Sequence, residues 1–514
     1  MNIAALIERA SHGHADAVAI SWIDEAVCTY RELMARAGAL AAALRRAGLR
    51  PGDRVMMAMS NSPRYYEVLL GCWFAGLVAA PQNCRLHPAE VAWASADCGA
   101  TLGFATPDLA EALRLQDPVG LNFIDVESAE FAAMADGEPQ AVEPREPADP
   151  ALLFYTSGTT GKPKGAILSH RALCAMSVSF LADSGAVVDD HILHLAPMSH
   201  ASGFLGLSYL LRGRNQVVLP TGRLDAESLR RALLAFGPLS LFAVPTVVRR
   251  LMDPALLELA LIPKIHTLFF GGAPMYGEDL KRARSVFGAG RLWHLYGQGE
   301  SPNTITHLPP RLAPSADDPG FEARLASVGI PRSGVLVRLV RPDGAAAAVG
   351  ELGEVAVQGD TVMSGYWNQP EATAEALRGG WLHTGDLGRF DERGYLTLVD
   401  RSKDVIISGG SNIYPREIEE VLLGHPQVAE CAVIGIPDEQ WGETPFAFVV
   451  ATKAAPSDAE LDALCLGQLA RYKRPKGYRL LPELPKSAYG KVLKTQLRSL
   501  VHPSVTSPQT AERT

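Results

Sequence analysis

Residues 155–165 read Tyr155-Thr-Ser-Gly-Thr-Thr-Gly-Lys-Pro-Lys-Gly165 and directly follow the apolar run Ala-Leu-Leu-Phe. A loop of this make-up leaving a strand can wrap a polyphosphate. The hydroxyls of Thr156, Ser157, Thr159 and Thr160 and the backbone amides donate, while Lys162 and Lys164 neutralise charge. Gly158 lets an anion approach the backbone because it has no Cβ. The spacing is not that of a Walker A loop, which needs four residues between the glycine and the Gly-Lys, then Ser or Thr. Here only Thr159 and Thr160 intervene, and Pro163 follows. A flexible Gly/Ser/Thr linker is the plainer alternative, but two lysines, a proline and a preceding strand count against it. A second cationic feature lies near the end of the chain. Residues 471–498 carry nine Lys or Arg (Arg471, Lys473, Arg474, Lys476, Arg479, Lys486, Lys491, Lys494 and Arg498) and one acid, Glu483. In an acidic chain this suits either a phosphate-rich ligand or a solvated basic face.

The elements that must hold these residues alternate between helix-like and strand-like up to about residue 400. Residues 30–49 have helical apolar spacing and end near Gly48 and Pro51. Residues 54–59 read as a strand, and 65–80 as one buried helix. Short β-prone runs at 217–219, 241–244 and 267–270 alternate with helical stretches at 226–235 and 276–286. Such alternation predicts an α/β fold with largely parallel sheets, whose ligands lie at the strand C-termini. From about residue 330 the pattern changes to turn-bounded strands at 335–340, 354–358 and 395–399, a β-rich subdomain. Beyond Arg401 a small α+β unit is expected: helices at 415–423 and 458–469 and strands at 428–434 and 445–450. The expected division is a large domain over 1–402, a small mobile domain over 403–498 and a frayed tail over 499–514.

Composition narrows the function classes. The 514 residues carry a net charge of −8, which weighs against a general nucleic-acid binder. The 47% apolar content supports a large core without staples. Seven cysteines, an odd number with no Cys-x-x-Cys pair, argue against a disulfide framework and a zinc ribbon. The first residues lack the basic region of a signal peptide, and no stretch has the ~20 apolar residues of a membrane span. The expectation is a soluble cytoplasmic protein.

The 155–165 loop resembles that of the adenylate-forming superfamily, which includes acyl-CoA synthetases, peptide-synthetase adenylation domains and luciferases. The resemblance covers about residues 5–498, and further motifs match in the expected order. It implies that the loop, with Thr156, Ser157, Gly158, Thr159, Thr160 and Lys164, orients the phosphates of ATP. Tyr296-Gly297-Gln298-Gly299-Glu300 is similar to the family's Tyr-Gly-x-Thr-Glu. Tyr296 is then expected against the adenine, and Glu300 on Mg²⁺, which favours hard oxygen ligands. Gly299 departs from the family threonine, whose hydroxyl contacts the adenylate phosphate; a water, the backbone, Thr156 or Thr160 must then serve. Phe270-Gly271-Gly272-Ala273-Pro274 resembles the loop on the adenine that borders the acyl pocket. Trp381-Leu-His-Thr-Gly-Asp386 resembles the ribose-binding segment, with Arg401 helping. Lys403, in Asp400-Arg-Ser-Lys-Asp404, matches the hinge about which the small domain turns between two half-reactions. Pro485-Lys-Ser-Ala-Tyr-Gly-Lys491 resembles the terminal motif and makes Lys491 the catalytic lysine, preferred over Lys486 because it follows the glycine. An ammonium group bridging an acid and an α-phosphate lowers the repulsion between them.

Further matches imply coenzyme A as acceptor. Arg85, Lys473 and Arg474 are placed at its phosphates, Gly409 and Gly410 beside the pantetheine, and Trp441 on its adenine. The acyl pocket is expected from His200, matching an aromatic gate, together with Phe204, Val244, Phe270, Gly271, Ala273 and Gly299. No Arg or Lys stands in the bordering segments 198–204, 244–246, 271–273 and 298–303. A monocarboxylic fatty or aromatic acid therefore fits better than a dicarboxylate. The function implied is an AMP-forming acyl-CoA ligase using ATP, Mg²⁺ and coenzyme A. Two alternatives stay open: an enzyme that loads a separate carrier protein, and a non-catalytic binder of acyl-adenylate or nucleotide, favoured only by Gly299. The oligomeric state is open, a homodimer included.

Overall fold

A computed structural model describes all residues except 116–120, 157–162, 185–189, 221–223, 316, 319, 410, 488–490 and 502–514. Its large domain is built on three sheets. The first has six strands in the order Asn122–Asp125, Leu102–Ala105, Arg54–Ala58, Val78–Gln82, Pro150–Thr156, Lys164–Ser169. All neighbours are parallel except the last pair, where Thr156 lies opposite Lys164. The second has nine strands, and its parallel centre includes His191–His194, Leu239–Ala243, Ile265–Gly271 and Leu292–Gln298. The third is a four-stranded antiparallel sheet over Val335–Val340, Gly353–Gly359, Leu382–Phe390 and Leu396–Arg401. This is the expected α/β body with its β-rich part. The C-termini of five parallel strands lead into Thr156, the segment before His200, Val244, Gly271 and Gln298, as such sheets place ligand loops.

Residues 65–80 are not one helix. The helix Tyr65–Phe74 stops, Gly76 turns the chain at φ +73°, and the strand Val78–Gln82 follows. Both elements are buried on all sides, so no periodicity marked the change. The helix braces the site from beneath. Trp73 Nε1 donates to Ala151 O at 2.8 Å, and Tyr66 Oη to Gly203 O at 2.9 Å. The strand leading to Thr156 and the helix Ala201–Leu210 are thereby fixed to one support.

The small domain has a five-stranded sheet drawn from residues 406–480. Helices Pro415–Leu423, Asp458–Gln468 and Lys494–Val501 accompany it. The last helix runs to Val501, past the expected start of the tail at 499. No described helix is long and apolar enough to cross a membrane.

Candidate active site

Asp386 organises one side of the cleft. It lies in the strand Leu382–Phe390 opposite Arg401 of the neighbouring strand. The Arg401 Nε reaches its Oδ1 at 3.0 Å. Tyr296 Oη and Gln298 Nε2 donate to its Oδ2 at 2.6 and 2.7 Å. Burial and the Asp386 carboxylate raise the Tyr296 phenol well above its ordinary value, so it stays a donor. The same carboxylate raises the Arg401 guanidinium. Charge-assisted bonds of this kind fix a carboxylate's direction. Tyr296, Gln298, Asp386 and Arg401, expected from separate motifs, thus form one connected group. Gly297 is locked by space, since a Cβ there would meet Ser301 O at 2.6 Å.

Thr156 and Lys164 stand at the two ends of the Thr-rich loop. Thr156 Oγ1 is 3.5 Å from Lys164 O, and Lys164 Nζ lies 5.1 Å over the ring of Tyr366. Tyr366 Oη donates to Glu300 Oε1 at 2.7 Å. Lys164 is thereby linked to the candidate metal-binding carboxylate through a tyrosine that the motifs did not identify. The aromatic pair after Gly365 was the available signal. Ser157, Gly158, Thr159, Thr160 and Lys162 lie outside the described residues, as does Gly410.

Lys491 comes from the small domain and lies within electrostatic reach of Asp386, Glu300 and Arg401 of the large one. It keeps solvent contact, while protein crowds around its ammonium group. That surrounding, with Arg401, lowers its pKa; Asp386 and Glu300 act in the opposite direction. Lys486, the rival lysine, is held by Glu430 at 2.6 Å. Lys473, Arg474, Lys494 and Arg498 also pair with carboxylates, those of Glu417, Asp462, Glu419 and Asp404. Much of the basic run is therefore consumed by internal ion pairs, including the two side chains expected at coenzyme A phosphates.

Between the two domains, Lys403 occupies the turn Ser402–Asp404, which joins the last strand of the large domain to the first of the small one. Tyr276 Oη of the large domain donates to Glu419 Oε2 of the small domain at 3.0 Å. Arg416 N donates to Asp400 Oδ2 at 3.0 Å.

The acyl side is aromatic. The Phe154 ring meets His200 edge-on at 5.2 Å and Phe204 at 5.5 Å. Burial, with Lys491 nearby, lowers the His200 imidazole to about 3, so it is neutral at ordinary pH. Val244 caps the helix Pro245–Leu251 beside Gly272. Gly272, Ala273 and Pro274 line the loop beyond Gly271, which packs on Leu295 O. Phe270 does not face the cleft: it is 2% exposed and stacks on His294 at 4.5 Å in the core. Trp441 is 44% exposed and covers Gly409, whose N–H donates to Trp441 O at 2.8 Å. Arg85 is exposed just beyond the strand Val78–Gln82.

Residues 7–367 match the AMP-binding enzyme family, and residues 417–491 match the AMP-binding enzyme C-terminal domain. Over 480 residues the chain is 39% identical to a feruloyl-CoA synthase of Amycolatopsis sp, covering 91% of this chain and 93% of that one. A fatty acid–[acyl-carrier-protein] ligase, ScoC, of Streptomyces coeruleorubidus is 34% identical over 484 residues, 91% of each chain. The o-succinylbenzoate CoA synthetase of Bacillus subtilis, solved with its acyl-adenylate intermediate, superposes with a TM-score of 0.84 at 28% identity, covering 96% of this chain and 97% of that one. With both domains matched by family models, and a relative 39% identical over nine-tenths of its length, the chain belongs to the AMP-binding, adenylate-forming enzymes.

Proposed function

We propose that this protein is an AMP-forming acyl-CoA ligase acting on a monocarboxylic acid, fatty (medium-chain included) or aromatic. The observation that carries the reading is the position of Lys491 within electrostatic reach of Glu300, Asp386, Arg401 and His200. Its relatives include CoA ligases across nearly their whole length. The acid's carboxylate attacks the α-phosphate of ATP in line, and pyrophosphate leaves. Positioning and charge carry such a step. Thr156, Lys164 and the intervening loop hold the phosphates, Asp386 with Arg401 the ribose, and Tyr296, Gln298 and the Gly272–Pro274 stretch surround the base. The Lys491 ammonium bridges carboxylate and phosphate. Glu300 fits Mg²⁺, because that ion commonly takes one or two carboxylates and completes its shell with phosphate oxygens and water. Bound there, it would neutralise phosphate charge.

For the second step the small domain turns about Lys403 and carries Lys491 away. The face bearing Gly409 and Trp441 then meets the large domain near Arg85. The coenzyme A thiolate, its proton lost to solvent, attacks the acyl-adenylate carbonyl, and AMP leaves. Two poses of one small domain allow one pocket to serve two reactions. We place the enzyme in the cytoplasm, and a homodimer is compatible with this mechanism.

The second reading, a carrier protein as acceptor, is favoured by the ScoC likeness and by the internal pairing of Lys473 and Arg474. ATP–pyrophosphate exchange and AMP release test both readings. Acid-dependent exchange, with AMP release that requires free coenzyme A, supports the ligase. Exchange without any response to coenzyme A supports the carrier-protein reading.

A further inference from the structure

Glycine at 299 invites a reading as an impaired site. The backbone does not require it, since Gly299 is not among the residues at positive φ. Space does. A Cβ at this position would collide with Thr156 Cγ2 and would lie 2.6 and 2.8 Å from Cδ1 and Cε1 of Phe154. Real Cβ atoms essentially never come so close, and the Phe154 ring cannot yield easily. It is 8% exposed and held between the edge contact with His200 and the tilted contact with Phe204. Thr156, at the end of the same strand, lies beside position 299 with its methyl and keeps its hydroxyl toward Lys164. The volume a side chain at 299 would fill is thus occupied by residues 154 and 156 of a strand in the neighbouring six-stranded sheet.

We infer that Phe154 takes the place of the side chain absent at 299, forms the wall of the acyl site beside His200, and thereby sets a preference for flat aryl acids over alkyl acids. This rests on the ligase reading above. Aromatic rings favour offset and edge-to-face partners. Phe154, His200 and Phe204 present three such rings in one connected group, with no cation in the bordering segments to hold a second carboxylate. An aryl acid would meet ring faces and edges where a flexible chain would gain only contact area. The glycine is then one half of a complementary pair, and replacing it with the family threonine harms the enzyme unless Phe154 is reduced as well.

The test compares wild type, Gly299→Thr, Phe154→Leu and the double variant. Acid-dependent pyrophosphate release is measured with cinnamate and octanoate, and Tm by calorimetry. Gly299→Thr is expected to lower Tm and to reduce kcat/KM at least tenfold with both acids. Adding Phe154→Leu should recover most of both losses. Phe154→Leu alone should lower the cinnamate-to-octanoate ratio of kcat/KM about tenfold, chiefly through the KM for cinnamate. A Gly299→Thr enzyme equal to wild type, additive effects in the double variant, or an unchanged acid ratio would each overturn the inference. A wild type that forms no acyl-adenylate from any acid overturns the ligase reading, and the acyl wall with it. The packing of 154 against 299 is decided separately by the Tm coupling.

Discussion

Tyr276 and Glu419 are 143 residues apart in the chain, yet the phenol of one donates to the carboxylate of the other at 3.0 Å across the two domains. Glu419 also receives Lys494 Nζ at 3.0 Å and the Val433 N–H at 2.9 Å. Its carboxylate is therefore fixed from the small-domain side, and Tyr276 supplies the bond from the large domain. Since Lys491 lies within electrostatic reach of Asp386 and Glu300 in this arrangement, the bond favours the pose proposed for adenylation.

Tyr276→Phe removes that bond and little else. A hydrogen bond to a charged group is worth about 1.5–3 kcal/mol. Adenylation should slow about tenfold, while thioester formation from supplied acyl-adenylate should not slow. Rapid-quench measurement of the two half-reactions separates these effects. Equal slowing of both would remove the assigned role of Tyr276.

Lys491→Ala should reduce adenylation by roughly 10²–10³-fold, the usual cost of losing a preorganised donor at developing charge. Thioesterification of supplied acyl-adenylate should survive, because in the pose proposed for that step Lys491 has moved away. The ammonium is the active form, and its pKa is lowered from 10.5 by the protein around it and by Arg401. The wild-type adenylation rate should therefore fall on the alkaline side at a pH below that of an ordinary lysine. An inflection at or above 10.5 would contradict the crowded, cationic setting described for it.

Much of this site was legible in the sequence through its motifs and their order. The Thr/Gly/Lys loop shows an anion-binding character by residue type, while the metal, ribose and charge-bridging roles expected of Glu300, Asp386 and Lys491 come from the order of motifs in the family resemblance. What could not be read were partnerships over long separations. Tyr366 on Glu300, Tyr276 on Glu419 and Phe154 against Gly299 join elements whose relative position only the packed sheets decide. Phe270 is expected at the acyl pocket because Phe270–Pro274 resembles the family loop that borders it. In the strand Ile265–Gly271 its side chain instead faces the core and His294. Lys473 and Arg474 looked like free cations until Glu417 and Asp462 were found beside them.

Buried imidazoles contribute to the acid limit of stability, His200 and His307 among them. His170, His194 and His294 are lowered from 6.5 to about 4, in each case mainly by burial. Between those values the unfolded chain binds protons that the folded chain refuses. Stability should therefore fall as pH drops from 6.5 toward 4, and these groups should add no pH dependence above 6.5. Each contributes up to about 1.4 kcal/mol per pH unit in that window. Urea unfolding at pH 7.5, 6 and 5 would show the slope. His194→Gln should reduce the slope by that one group's share, whereas a wild-type profile flat from pH 7.5 to 5 would contradict the burial of these rings.

The most direct test is mass spectrometry of products after incubation with Mg·ATP and a mixture of fatty and aromatic acids, run in parallel with and without coenzyme A. An AMP-forming ligase gives acyl-CoA and AMP in the first run and acyl-adenylate in the second, and the mass of the thioester identifies the acid. Acyl-adenylate in both runs, or release of ADP in place of AMP, would contradict it.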